Sequence, residues 1–479
     1  MSYNLLDKDW IPVLYRNGDY RRVGILKAFD DAGQIRQIAA SNPMDRVAVL
    51  RFLLALLYWC KGNPTDEEKS AAVESFPTDW FSKLDEHREC FNLLGEGKRF
   101  YQNDSYKDLE PEHTTNYLIH EVPSGTNKWH FRHSTDRANG LCRACCALGL
   151  VRLPVFATSG GKGLSAKTGK SPGVNAKPPV YFVPEKGTLA GTLLLSWRKS
   201  GAELGTPAWE KPDVQLPKVG EVPLLTGMTW LPRSVWLGNP DDQNSSCVSC
   251  GYRERLIRLC VFDGKGTSKT EGRIWRDPHV VYSSNSKGTI ISQTPSDALG
   301  SSDAAAGQWL KLLEGILSAR GPEGGATFLA VGFSTVQNDK YLEATASKVS
   351  FQISPERLED QLARIDQWRK KSRDLPKQLA KAKLVRSEVT RNAAILSIRP
   401  SIEREVSSMV RDLLSGDPEP WEHAASKYRP MMGRIAKSLS PGFTTEAVER
   451  RRGIAFVVPD MRPKPEKTKK PIEEEGENM

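Results

Sequence analysis

Two short cysteine pairs, Cys142-Arg-Ala-Cys145 and Cys247-Val-Ser-Cys250, constrain what this chain can fold into more than any other feature. Each is a CxxC knuckle, and two knuckles supply the four thiolates of a tetrahedral structural Zn²⁺. The second pair is followed by Gly251. The long stretch between positions 145 and 247 weakens the sequence signature but not the chemistry, because a fold can bring distant knuckles together. The spacing predicts a metal centre on Cys142, Cys145, Cys247 and Cys250, with unconnected buried cysteines as the alternative. A site closed by four thiolates is structural and leaves no open position for catalysis. Of the eight cysteines, the other four, Cys60, Cys90, Cys146 and Cys260, read as core thiols.

The start, "MSYNLLDKDWIPVLYRNG", has neither a basic n-region nor a small-residue cleavage site. Together with the cysteine usage this predicts reduced thiols or metal ligands in a cytoplasmic protein. The most apolar run, Val47 to Cys60, is too short to span a bilayer and carries Arg51, so a buried helix is expected there. At 479 residues, 39% hydrophobic and 26% charged, the chain is long enough for two or three soluble domains. Its 68 Lys and Arg exceed its 58 Asp and Glu, for a net charge of +10. That excess favours a polyanionic partner, although a solubilising surface would produce it too.

Residues 1–353 mix helices with short strand-like runs (Tyr181 to Val183, Thr192 to Ser196, Phe328 to Val331) and many Gly/Pro turns. The expected fold class is α+β, a large irregular mixed N-terminal body carrying the zinc site. Near Ser354 the pattern changes. "SPERLEDQLARIDQWRKK" has a Ser N-cap, Pro355 at the first helical position, and Leu358, Leu362 and Ile365 on one face. Further helical segments over 376–397, 401–415 and 421–439 predict a four-helix bundle at 354–445. Residues 461–479 are charged, Pro-rich and almost free of apolar side chains, the composition of a disordered tail.

Three stretches invite a chemical reading. "TSGGKGLSAKTGKSPG", Thr158 to Gly173, looks like a phosphate-binding loop. A P-loop needs its first glycine at 164, where Leu164 stands, and Pro172 follows where a helix should continue. "WHFRHSTDRANG", Trp129 to Gly140, offers His130, His133 and Asp136 as a weak metal triad. It equally suits stacking on single-stranded bases, or reads as an ordinary exposed loop. "IWRDPHVVY" sets Asp277 and His279 beside Trp275. An Asp/His pair hints at acid–base work, but no nucleophile accompanies it, and a structural turn fixed by Pro278 is the favoured reading. No H-E-x-x-H, G-x-S-x-G or kinase signature is present.

Several stretches together resemble a known family. "NLLDKDWIPV", "CFNLLGEGKRFYQ", "SGTNKWHFRHS", the CxxC after it, the glycine loop leading to "KPPVYFV", and "WRDPH" stand in the order they have in the CasA family. CasA is the large subunit of Cascade, the type I-E CRISPR surveillance complex. Each motif is modest alone, and their shared order carries the resemblance, which covers the chain to about position 440.

The resemblance implies a non-enzymatic subunit. In that family it caps the complex at the CRISPR RNA 5′ handle and reads the protospacer-adjacent motif (PAM) of double-stranded target DNA. It then wedges the duplex open and docks a helicase-nuclease. Expected partners are therefore crRNA, target DNA, the backbone, small and handle-binding Cascade subunits, and that nuclease, with no membrane. The implied handle contacts are Phe131, Arg132 and His133, where the family has a small polar residue in place of His133. The glycine loop falls on Gly160, Gly161, Lys162 and Gly163, whose glycines allow close backbone approach to a groove while the lysine neutralises phosphate. The wedge follows Gly332-Phe333 and falls on Val336, Gln337 and Asn338, of which only Gln337 matches outright. A family lysine before the "WRDPH" element has Lys265 and Lys269 as offset candidates. The rival is a zinc-containing nucleic-acid-modifying enzyme or nuclease centred on His130, His133 and Asp136. A third reading is an RNA-associated scaffold.

Overall fold

The computed structural model describes residues 3–72, 74–119, 121, 140–156, 174, 179–264, 273–280, 326–336, 340–351, 445 and 448. The chain divides into two compact units, Met1–Leu362 and Ala363–Met479, and the elements below belong to the first. The expected bundle over 354–445 and tail over 461–479 lie outside the described residues, apart from position 445.

The apolar run Val47 to Cys60 lies within a 19-residue helix, Pro43–Lys61. Its start has three signals: Asn42 accepts a hydrogen bond from the Met44 amide, Pro43 takes the first helical position, and Asp45 sits in the first turn. It ends at Gly62, whose N–H donates to the Tyr58 carbonyl at 2.8 Å. Almost every side chain from Met44 to Trp59 is buried, because apolar residues occupy all faces of the helix rather than one stripe. Helices Arg143–Phe156, Leu189–Ser196 and Leu224–Thr229 pack around it. Aromatic rings fill the remaining space, with Phe52 edge-on to Phe100 and Trp209. Among the described residues no helix is long and apolar enough to cross a membrane.

Small antiparallel sheets flank this core. Strand Ile11–Tyr15 pairs with Tyr20–Val23 on one side and Ile35–Ile38 on the other. Leu259–Gly264 lies between His113–Thr114 and Arg233–Leu237. A long hairpin joins Ala326–Val336 to Lys340–Phe351, pairing Ala326 with Phe351 and Val336 with Lys340, with a shift of register between Ser334 and Thr335. Tyr181–Glu185 adds to its edge, setting Tyr181 opposite Val331.

One expected strand is a helix. Thr192 to Ser196 belongs to Leu189–Ser196, N-capped by the Thr188 side chain and buried along its whole length. An apolar run this short carries no periodicity that separates a buried strand from a buried helix; burial against the central helix decided it.

Candidate metal centre

Cys142 stands directly before the Arg143–Phe156 helix, and Cys145 lies in that helix's first turn. Cys247 and Cys250 occupy the turn between strands Pro240–Ser246 and Arg253–Ile257, which pair antiparallel. Gly251 has φ +74°, a left-handed conformation that lets the knuckle close. Two backbone bonds shape the turn: Gly251 N–H donates to the Cys247 carbonyl and Cys247 N–H to the Tyr252 carbonyl, both at 2.9 Å. Leu141 bridges to Ile257, and Val248 N–H reaches the Gly140 carbonyl, which ties the two knuckles together. Arg143 and Glu254 add an ion pair at 2.9 Å.

The four sulfurs converge. All lie within 4.8 Å of one another, and Cys142 Sγ is 3.6 Å from Cys250 Sγ. A tetrahedron with Zn–S bonds of about 2.3 Å has sulfur–sulfur edges of roughly 3.8 Å, so the cluster has the size this metal requires. Backbone amides already face the sulfurs, with Cys142 N–H donating to Cys247 Sγ at 3.3 Å and Cys145 N–H to Cys142 Sγ at 3.4 Å. The start of a helix beside Cys142 and Cys145 favours negative sulfur further.

Four thiols this close cannot ionise together without a cation. Hydrogen bonds from Cys142 and Cys145 bring the Cys247 thiol down to about 6, and bonds from Cys142, Cys145 and Cys247 lower Cys250 strongly. Cys145 is pushed far up by its bond to Cys142. Cys142 is lowered by Cys145 but raised more by Cys247 and Cys250. Arg22 supplies part of the missing positive charge. Burial disfavours its guanidinium, yet a hydrogen bond to Cys250 and the charges of Cys250, Cys142 and Cys145 raise its pKa overall. The four cysteines can hold a metal ion. Cys146, Cys90 and Cys260 are buried core thiols, and Cys60 is half-buried. Burial pushes Cys60 and Cys260 up to about 12, so neither has thiolate character.

The Asp/His motif leads elsewhere. Asp277 binds Arg51 of the central helix in a two-pronged pair, both contacts at 2.6 Å, and both residues are buried. Arg51 also meets His279 Nδ1 at 3.1 Å, while the His279 amide donates to Asp277 Oδ1 at 2.9 Å. A guanidinium only donates, so Nδ1 accepts and the neutral ring carries its proton on Nε2. Burial, then the charges of Arg51 and Arg198, depress the His279 pKa well below 6.5 and keep the ring neutral. The Arg51 guanidinium lies 4.6 Å over the Tyr181 ring, and Phe182 N–H donates to the His279 carbonyl at 2.7 Å. Trp275 packs against Gly227, where any Cβ would come within 2.2 Å of the indole. The motif is a structural joint. The sequence named Asp277 and His279 but not Arg51 as their partner.

Of the other predicted site residues, Phe131, Arg132, His133, Gly160, Gly161, Lys162, Gly163, Lys265, Lys269, Gln337 and Asn338 lie outside the described residues. His130 and Asp136 of the rival reading do as well. Gly332, Phe333 and Val336 are in the first strand of the long hairpin. Arg22 and Glu254, which support the cysteine cluster, carry no spacing signal that sequence reading could have used.

The family model described as CRISPR-associated protein Cse1 matches residues 4–422. This chain belongs to the Cse1 family. The CasA/Cse1 protein of Thermus thermophilus is 28% identical over 305 residues, which cover 60% of this chain and 57% of that relative's length. Solved structures share the fold more completely. Thermus thermophilus CasA (Cse1) has a TM-score of 0.64 at 20% identity, over 95% of this chain and 99% of the other. Thermobifida fusca Cse1 also has a TM-score of 0.64, at 17% identity, over 96% and 99%. A chain of a solved CRISPR RNA-guided surveillance complex has a TM-score of 0.62 at 14% identity, over 95% and 99%. For a Cse1-family chain, the mixed α/β body described above is the shared architecture.

Proposed function

We propose that this Cse1-family chain is the large subunit of a type I-E Cascade surveillance complex and acts by binding rather than by catalysis. One observation carries the reading: the likeness in fold spans nearly the full length of this chain and of a chain from an RNA-guided surveillance complex. In this role Phe131, Arg132 and His133 contact the crRNA 5′ handle. Gly160, Gly161, Lys162 and Gly163, with Lys265 and Lys269, meet the PAM duplex. Gln337 and Asn338 enter the duplex edge, start R-loop formation and leave the complex ready to dock a helicase-nuclease.

The described scaffold suits these tasks. Zinc would sit on Cys142, Cys145, Cys247 and Cys250, and when bound it neutralises clustered thiolates. With its coordination filled by sulfur it has no position for a reacting water. Those cysteines help hold the chain at Gly140–Cys142, just after the handle-contacting segment in sequence. Both ends of the wedge segment are held too, because Val336 pairs with Lys340 on either side of it.

R-loop yield on linear, supercoiled and pre-melted bubble DNA of one sequence tests the wedge. Gln337→Ala should keep initial duplex binding but slow R-loop formation on linear DNA. Supercoiling or the bubble should rescue it, since the opening cost is then supplied from outside. An equal defect on the bubble would remove Gln337 from this role.

A further inference from the structure

Arg152 lies in the Arg143–Phe156 helix and is 1% exposed, so its guanidinium is cut off from water. Two carboxylates share it. Nε and Nη2 both reach Asp45 Oδ1, in the first turn of the central helix, at 2.8 and 2.6 Å. Nη1 donates to Glu121 Oε2. Burial works against the guanidinium charge, but Asp45 and Glu121 together outweigh it and raise the Arg152 pKa. The two carboxylates are not equivalent. Asp45 is buried and ties two helices together, whereas the Glu121 side chain is 30% exposed and ties a turn to the helix. The chain leading to Glu121 is laid close on the same helix. Leu118 packs onto Gly149, where an added Cβ would come within 2.7 Å of the Leu118 Cβ. Glu121 stands ten residues before Phe131, and Gly140, tied to Val248, stands seven after His133. The Arg143–Phe156 helix therefore holds the chain at Glu121 through Arg152, and begins where the chain returns at Gly140–Cys142.

We infer that Glu121, held by Arg152, is a positioning residue for the crRNA handle contact: the pair fixes where the chain leaves the core ahead of Phe131, Arg132 and His133. Asp45 by itself supplies the anion that a buried arginine requires, so the fold has little need of a second, half-exposed carboxylate. An ion pair open to solvent contributes little stability, and its use here is geometric. A carboxylate is also a poor neighbour for a polyanion, because it repels phosphate. Its presence before an RNA-contacting segment is explained when its charge is directed at Arg152 and not displayed to RNA. Fixing one end of a segment in advance lowers the ordering cost that binding must otherwise meet. The inference rests on the handle-contacting role proposed above and adds to it a residue that does not touch RNA.

The test is titration of the full chain against crRNA-loaded Cascade lacking its large subunit, read as the Kd for joining. Glu121→Ala should weaken joining by roughly 2- to 30-fold, the range for a residue acting on a contact it does not itself make. A carboxylate that merely faced RNA would give the opposite sign, with tighter joining on its removal. Glu121→Gln should join like the parent, because its amide oxygen still accepts from Arg152. The melting temperature of both variants should match the parent's, since Asp45 still pairs with Arg152. Arg152→Met is not the test variant, because it strands Asp45 in the core and threatens the fold. In the Phe131→Ala/Arg132→Ala background, Glu121→Ala should add no further loss, as expected of residues acting through one contact. Unchanged or tighter joining by Glu121→Ala overturns the positioning role. So does a lowered melting temperature, or a loss that adds in full to that of Phe131→Ala/Arg132→Ala. The wider reading has its own readout. If Phe131→Ala/Arg132→Ala weakens joining and Glu121→Ala does not, only the positioning role is wrong. If Phe131→Ala/Arg132→Ala joins like the parent, the handle contact itself fails and the positioning role falls with it.

Discussion

Cys142 and Cys145 meet Cys247 and Cys250 across about a hundred residues of chain; Arg51 meets Asp277 and His279 across more than two hundred. Both clusters fasten a distant segment to a core helix. They differ in where the balancing charge comes from. As thiolates these sulfurs would repel one another, so ionising them together takes a cation from outside, with Arg22 able to offset only part of the charge. The second cluster contains its own cation and anion, and its histidine stays neutral. The first joint should therefore answer to metal supply, and the second to charge deletion and acid.

Removing the metal is the largest test of that difference. Elemental analysis should find about one zinc per chain, and Cys142→Ser or Cys250→Ser should lose it. Structural zinc sites carry roughly 10–16 kcal/mol of apparent binding free energy at neutral pH, so the variants should lose solubility and melt far lower. A strong chelator should reproduce this in the parent while leaving the Arg51 joint untouched. Metal-free protein with an unchanged melting temperature would show that the cysteines pack as plain thiols.

The buried ion pair should come next. Arg51→Met strands Asp277 without its cation and should cost about 3–5 kcal/mol in denaturant unfolding, with metal content unchanged. Arg51→Met/Asp277→Asn removes the orphaned charge and should regain about 1 kcal/mol or more, the coupling expected of residues in contact. Additive losses would mean the two residues stabilise the fold independently.

Acid should produce the smallest effect. The folded chain holds His279 neutral well below 6.5, whereas the unfolded chain takes up a proton near 6.5. Stability should therefore fall as pH drops below about 6.5, by up to about 1.4 kcal/mol per pH unit from this residue. Urea unfolding at pH 7.5, 6.5 and 5.5 should show a shallower decline for His279→Gln than for the parent. Identical slopes would mean that His279 is as protonatable in the folded state as in the unfolded one.

These two joints are legible in the sequence to different degrees. CxxC pairs announce themselves because one metal needs four sulfurs and each knuckle supplies two at fixed spacing. Asp277 and His279 are visible as a motif, yet their meaning depends on Arg51, which the sequence offers only as a charge inside an apolar run. Leu189–Ser196 reads partly as strand although it is a helix, since eight apolar-rich residues fit either state. Arg22 and Glu254 have no signal at all, because nothing local distinguishes a charged residue that faces the cysteines from one that faces water.

Reading along the chain is enough to specify the buried helix from its apolar run, and the four candidate ligands from their spacing. The order of motifs is enough to specify the family. Those features depend on neighbours within a few residues, or on order alone, so no knowledge of the chain path is needed to read them. The folded arrangement was required to establish that the two knuckles meet and that Arg51 is the partner of Asp277. Each of those is a contact closed over long loops, whose partners are selected by packing of the whole core rather than by any local preference.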